Sequence, residues 1–134
     1  MHTHSLKISA LAFVAALFVA GSSFADDAAA APASKWRIDC SGGTATADGQ
    51  AQFRVTTQGG APVVVTVKIA RGRGDHFILE DTVAAFKAQL PADHFHTDMA
   101  ADKVLIKTHK GDPDFLVEVV EAAVPGIRFH LTRN

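Results

Sequence analysis

The sequence predicts an α+β fold with the element order β-α-β-β-α-β, preceded by an N-terminal β-hairpin. Short segments alternate apolar and polar residues with the period of a strand, most clearly at residues 63–69. A helical stripe of apolar residues follows at residues 79–90. Residues 112–124 begin with Asp-Pro and end before Pro-Gly, which is typical of a second, capped helix.

Residues 1–25 have the composition of a cleavable secretory signal peptide. An uncharged apolar run follows Lys7, and Ser23 and Ala25 occupy the small-residue positions before a cleavage site. The apolar run, residues 8–21, is shorter than the roughly 20 residues that a membrane span needs. We therefore expect cleavage near Ala25, no membrane insertion afterwards, and a mature protein that is periplasmic or secreted.

The mature chain is long enough for one domain. Residues 26–34 read DDAAAAPAS, a low-complexity segment that predicts a disordered leader. Residues 35–134 then form a single small α+β domain. The full chain has 13 basic and 14 acidic residues, and cleavage removes only Lys7 from these; this near-balance argues against nucleic-acid binding, which would normally require a strong basic excess.

The single cysteine, Cys40, excludes an internal disulfide. It is in strand phase with Trp36 and Ile38, which favours a buried apolar residue. An intermolecular disulfide or a metal-ligating thiolate is the alternative.

The N-terminal hairpin is predicted from two alternating segments, residues 36–41 and 51–57. The intervening residues are rich in Gly, Thr, Asp and Ser, which favour turns. The sequence leaves open whether this hairpin extends the main sheet, covers its open face or forms a separate layer.

The main unit starts with the β-branched strand at residues 63–69, and its first helix ends at Pro91. Residues 94–99 and 103–109 are two strands joined by a turn, and residues 127–133 alternate as the last strand. This element order is that of the ferredoxin-like unit, an antiparallel sheet with both helices on one face.

In such a sheet the apolar residues face the helices, and four of the five histidines of the mature chain fall on the other face. A tight turn would set His94 opposite His109, with His96 and Asp98 projecting from the same face. Imidazole suits Zn²⁺ or Cu²⁺, so these four residues form a hypothetical metal site. A plain solvated face, or a partner surface that histidines tune with pH, is the competing interpretation.

Basic residues give a second hypothetical site, for an anion or a protein partner. Arg71 and Arg73 lie in the glycine-containing loop before the first helix, where an anion could bind near the helix start. Lys107, Arg128 and His130 are predicted on the same sheet face as the histidines. No complete phosphate-binding motif is present.

The βαββαβ order and the ending DPDFLVEVVEAAVPGIRFHL resemble heavy-metal-associated domains over residues 63–133. That resemblance implies a ferredoxin-like fold and the carriage of copper or related ions. The family's Cys-x-x-Cys pair would fall in the loop ARGRGDHF, which has no cysteine, so no metal ligand can be transferred from the family.

No catalytic motif is recognisable: the chain has no GxSxG, no HExxH and no tyrosine. We expect a non-enzymatic exported binding or accessory protein, such as an inhibitor or immunity protein, whose partner is another envelope protein. The alternative is a Cu²⁺- or Zn²⁺-binding protein that uses the histidine cluster. An envelope or stress protein without a ligand is a third possibility.

Overall fold

The computed structural model describes residues 31–133 and shows a mostly β architecture with two antiparallel sheets. The elements within that range are, in chain order, β1 (Lys35–Ser41), β2 (Gly49–Thr57), β3 (Pro62–Ile69), α1 (Asp75–Gln89), β4 (Phe95–Ala100), β5 (Lys103–Thr108), β6 (Phe115–Ala123) and β7 (Arg128–Arg133).

One sheet has four strands in the order β4-β5-β1-β7, and the other has three in the order β3-β2-β6. Helix α1 contacts β3 at the edge of the three-stranded sheet and β4 at the edge of the four-stranded sheet. On the other side of the domain β6 and β7 approach each other. The inner faces of both sheets and the helix therefore enclose one apolar core.

The core is built from large side chains that are fully buried, and aromatic contacts join its layers. The ring of Phe53 in β2 lies 5.5 Å from that of Phe86 in α1 and 5.3 Å from that of Phe129 in β7. The indole N–H of Trp36 in β1 donates to the carbonyl oxygen of Phe115 in β6 at 2.8 Å, a buried hydrogen bond between the two sheets.

The predicted second helix is wrong, because Phe115–Ala123 is strand β6. It pairs with β2 from Gln50 to Thr57, with an irregularity between Gln52 and Phe53. Phe115 and Val117 are buried on the core side, which matches a strand period. A helix cap contributes about 1 kcal/mol, whereas the ladder satisfies a row of backbone groups and buries these side chains.

The N-terminal hairpin and the single ferredoxin-like sheet are also wrong. β1 pairs with β5 and β7, whereas β2 pairs with β3 and β6, so the two predicted hairpin strands lie in different sheets. β3 and β7 do not share a sheet either. The βαββαβ order behind the resemblance to heavy-metal-associated domains is therefore absent.

The elements β3, α1, β7 and the β4–β5 hairpin are confirmed where the residue pattern predicts them. The hairpin turn has Ala101 and Asp102 in the left-handed region, with φ of 51° and 61°. Two such residues in succession are typical of the tight turns that match the twist of paired strands.

The predicted signal peptide and the leader up to residue 30 lie outside the described residues. At the end of the predicted leader, Ala33 forms a β-bridge with Phe115, and the carbonyl of Ser34 accepts a hydrogen bond from Thr108. In residues 31–133 there is no helix with the length and apolar character needed to cross a membrane.

Candidate functional site: the outer face of the four-stranded sheet

The hairpin brings His94 and His109 to opposite positions, as the sequence predicted. The backbone N–H of His109 donates to the carbonyl of His94 at 3.2 Å, and the next pair in register is Phe95 and Thr108. His96 and Asp98 are exposed on the outer face of β4. The predicted opposition of His94 and His109 is therefore confirmed for their backbones.

The imidazoles themselves contact carboxylates. Nδ1 of His94 lies 3.3 Å from Oδ1 of Asp112, and its Nε2 lies 3.7 Å from Asp93. Nε2 of His96 lies 4.0 Å from Oδ2 of Asp98. Within residues 31–133 no group of three or more His, Cys, Asp or Glu side chains is arranged to hold a metal ion. The Zn²⁺ or Cu²⁺ site stays a prediction that this geometry does not strengthen.

Three basic side chains lie in one line across three strands of this face. Lys107 of β5 is directly opposite Lys35 of β1 on one side and His96 of β4 on the other. We call these three residues the basic row. His109 and Lys110 lie beside it and line a shallow depression together with His96 and Lys107.

Within residues 31–133, the two lysines of the basic row lack a carboxylate partner such as the one that His96 has in Asp98. In the part of the chain that the structure describes, Lys35, Lys107 and Lys110 form no ion pair. Like charges directly opposite each other on neighbouring strands are destabilising. The repulsion within the row therefore lowers the stability of the fold, and an anionic ligand or partner would offset that loss.

On the outer face of the three-stranded sheet, three polar pairs form hydrogen bonds across the strands. Arg54 pairs with Glu118 at 3.0 Å. The Gln50 amide donates to Glu121 at 3.0 Å, and the Gln52 amide donates to Thr66 at 3.3 Å. Arg54 and Glu118 therefore compensate each other's charge across two strands, whereas the cross-strand neighbours Lys35 and Lys107 carry the same charge.

The other predicted anion-binding residues do not converge on this row. Arg73 donates to both oxygens of Asp81, at 2.8 and 3.1 Å, and this hydrogen bonding raises the pKa of its guanidinium. Arg73 also lies over the ring of Phe77 at 5.1 Å. The bidentate contact with Asp81 therefore holds the Arg73 guanidinium against helix α1.

The remaining candidates lie elsewhere on the domain. Arg71 is exposed, and its backbone N–H donates to Asp48. Arg128 is opposite Ser41, and Nε2 of His130 lies 3.2 Å from the hydroxyl oxygen of Ser41. Ser41 and Lys35 are the two ends of β1, about 20 Å apart at the usual strand rise.

The sequence reasoning missed Lys35 and Lys110. Lys35 follows the predicted leader, and only the pairing of β1 with β5 brings it opposite Lys107. Lys110 follows His109 beyond the end of β5, so its place beside the row depends on how the hairpin ends. Neither position has a local motif that would identify it.

Cys40 is buried on the inner side of β1, which confirms the prediction of an apolar core position. Its Sγ lies 3.4 Å from the carbonyl oxygen of Asp75. Burial raises the pKa of the Cys40 thiol to about 11, and the nearby carboxylates of Asp75 and Asp39 add to that effect. The thiol is therefore protonated at neutral pH and is a poor nucleophile.

Scanning the chain against models of known protein families and against curated proteins finds no match.

Proposed function

We propose that this protein is a non-enzymatic, exported binding domain that docks an acidic protein surface on the basic row. The observation that supports the proposal most directly is that Lys35 and Lys107 lie opposite each other without a carboxylate partner in the described residues, with His96 on the other side of Lys107. A sheet face with two opposed lysines is less stable alone than with an anion present. Binding of carboxylates to the row would reduce the repulsion between the two lysines.

The distribution of charge favours a protein partner. The whole chain has a formal net charge of −1, so a general attraction to polyanions is weak. The basic row is confined to one end of one sheet face, and Asp39 pairs with Lys103 at 3.2 Å further along the same face. A small basic area surrounded by residues of both charge signs is complementary to a patch of Glu and Asp residues rather than to a long phosphate backbone.

The side chains of the row also suit a reversible contact. Lys107 and His96 are exposed and Lys35 is half-buried. Attraction between such exposed charges mainly accelerates association and is screened by salt. An inhibitor-type or accessory protein in the envelope would gain a fast, selective encounter from this arrangement. The export of the chain rests on the composition of residues 1–25.

The test uses a fluorescein-labelled poly-L-glutamate peptide, with fluorescence anisotropy at low ionic strength. The double variant Lys35→Glu/Lys107→Glu removes the basic row. The matched control, Lys68→Glu/Lys87→Glu, makes the same change of net charge at two exposed lysines on β3 and α1. We expect the row variant to bind roughly tenfold or more weakly than the control, and wild-type binding to weaken as NaCl is added.

Two results would overturn the proposal. One is equal binding by the row variant and its control, because net charge alone would then explain the affinity. The other is tighter binding of a DNA duplex of matched charge than of poly-L-glutamate, because the surface would then be a nucleic-acid site.

A further inference from the structure

A cleft with a volume of about 390 Å³ opens between the two sheets, beyond the C-terminal end of α1. Its walls come from the β2–β3 turn at residues 58–61, from Pro91 after the helix, and from the segment Asp112–Pro113 before β6. This volume lies within the range of about 300–1,000 Å³ typical of small-molecule sites. The cleft is separate from the basic row.

The floor of the cleft is part of the hydrophobic core. Val55 of β2, Leu90 at the end of α1 and Phe95 of β4 line it, with exposed fractions of 2%, 5% and 9%. Val63 of β3 is half-buried at the same place. A molecule that enters the cleft would therefore remove its own apolar surface from water against side chains that the fold already holds in position.

The mouth of the cleft holds one carboxylate, that of Asp112. The carboxylate of Asp112 lines the cleft, is about one quarter exposed and lies 3.3 Å from Nδ1 of His94. The backbone N–H of Asp112 donates to the carbonyl of His109 at 3.0 Å, which fixes the segment. A carboxylate accepts and does not donate, so a ligand group that contacts Asp112 directly must supply the donor.

From the apolar floor and this acceptor mouth we infer that the cleft binds a small, largely apolar molecule with one hydrogen-bond donor, either a hydroxyl or an ammonium group. An anionic head group is disfavoured, because it would face the carboxylate of Asp112. The enclosed volume limits the ligand to a molecule much smaller than a protein. This site does not depend on the proposed docking of an acidic partner.

The test compares three probes that share one apolar body: 2-naphthol, 2-(aminomethyl)naphthalene and 2-naphthoate. Affinities come from calorimetric titration of the full mature chain at neutral pH. We expect at least one donor probe to bind roughly tenfold or more tightly than 2-naphthoate, and the choice between the two donors tells whether the site prefers a neutral or a charged head group. Absence of binding by both donor probes, or equal binding of 2-naphthoate, would overturn the inference.

Two variants locate the binding. Ala61→Trp adds a large side chain at a residue that lines the mouth, whereas Ala84→Trp makes the same change on the exposed side of α1. Loss of binding is expected in the first and retention in the second. Asp112→Asn keeps the size of the side chain but removes its charge. We expect this variant to reduce the ratio between the affinities for the donor probes and the affinity for 2-naphthoate. An unchanged preference in Asp112→Asn would show that the carboxylate does not select the ligand and would refute the donor assignment.

Discussion

The side-chain amide of Gln89 closes the free edge of strand β3 at Thr66. Its Oε1 accepts from the backbone N–H of Thr66 at 2.9 Å, and its Nε2 donates to the Thr66 carbonyl at 2.9 Å. Among the strands of residues 31–133, β3 pairs with β2 alone, so this backbone edge would otherwise be open to another chain. One residue at the end of α1 therefore imitates the hydrogen bonding of an additional strand.

We expect Gln89→Ala to lower the free energy of unfolding by about 1–2 kcal/mol, because two hydrogen bonds to an edge strand are lost. The open edge should also increase self-association in concentrated solution. Urea denaturation and sedimentation velocity measure the two effects. Lys87→Ala, a change at a nearby exposed helix position, is the control. Equal behaviour of the two variants would mean that Gln89 does not protect the edge.

Lys107→Glu should stabilise the fold while it weakens partner binding. It replaces a repulsion with Lys35 by an attraction, for which cross-strand pairs suggest a gain of about 0.2–1 kcal/mol. Urea denaturation at low and high NaCl measures the gain, which should shrink as salt screens it. Lys68→Glu, opposite the neutral Gln50, should show no such gain. If Lys107→Glu destabilises the fold at low salt, the repulsion between Lys35 and Lys107 is not significant.

The Cys40 thiol should react very slowly with Ellman's reagent in the folded protein and quickly in urea. Burial raises its pKa from 9.0 to about 11, so the folded state favours the protonated thiol. The stability that this shift provides is intact below pH 9 and is lost as the pH rises through about 11. Ser41→Cys in a Cys40→Ala background moves the thiol to an exposed position and should react fast. Rapid labelling of native Cys40 would contradict the burial.

Ala101→Gly should raise the free energy of unfolding by about 0.5–1 kcal/mol. Ala101 has a φ of 51° in the β4–β5 turn, a conformation that costs an alanine roughly 1–2 kcal/mol and a glycine almost nothing. Thermal denaturation provides the measurement. Ala100→Gly, at the last residue of β4, should instead destabilise. A loss of stability in Ala101→Gly would indicate that the turn is not strained.

Titration with Zn²⁺ or Cu²⁺ at neutral pH should give only weak binding. A stable zinc site needs three or four ligands, and the described residues offer no such group. Calorimetry of the mature protein beside the His94→Ala/His109→Ala variant provides the comparison. Micromolar binding that disappears in the variant would contradict this expectation and restore the metal hypothesis.

Much of the local structure could be predicted from the residue pattern. The alternation in residues 63–69 and the stripe from Leu79 to Leu90 identify β3 and α1, because each element buries one face with its own period. The short turn after β4 fixes the opposition of His94 and His109. The site was only partly predictable, because Lys107 and His96 follow from that turn but Lys35 does not.

By itself, the sequence determined the strand and helix periods, the burial of Cys40 and the hairpin that sets His96 beside Lys107. The tertiary structure alone decided that residues 115–123 form a strand and that β1 pairs with β5 and β7. The physical reason is the separation in sequence over which each interaction acts. Periodicity and turn chemistry act over a few neighbouring residues, whereas the ladder between β2 and β6 joins residues more than 50 positions apart and outweighs a local helix cap. The basic row and the cleft both arise from such distant pairings.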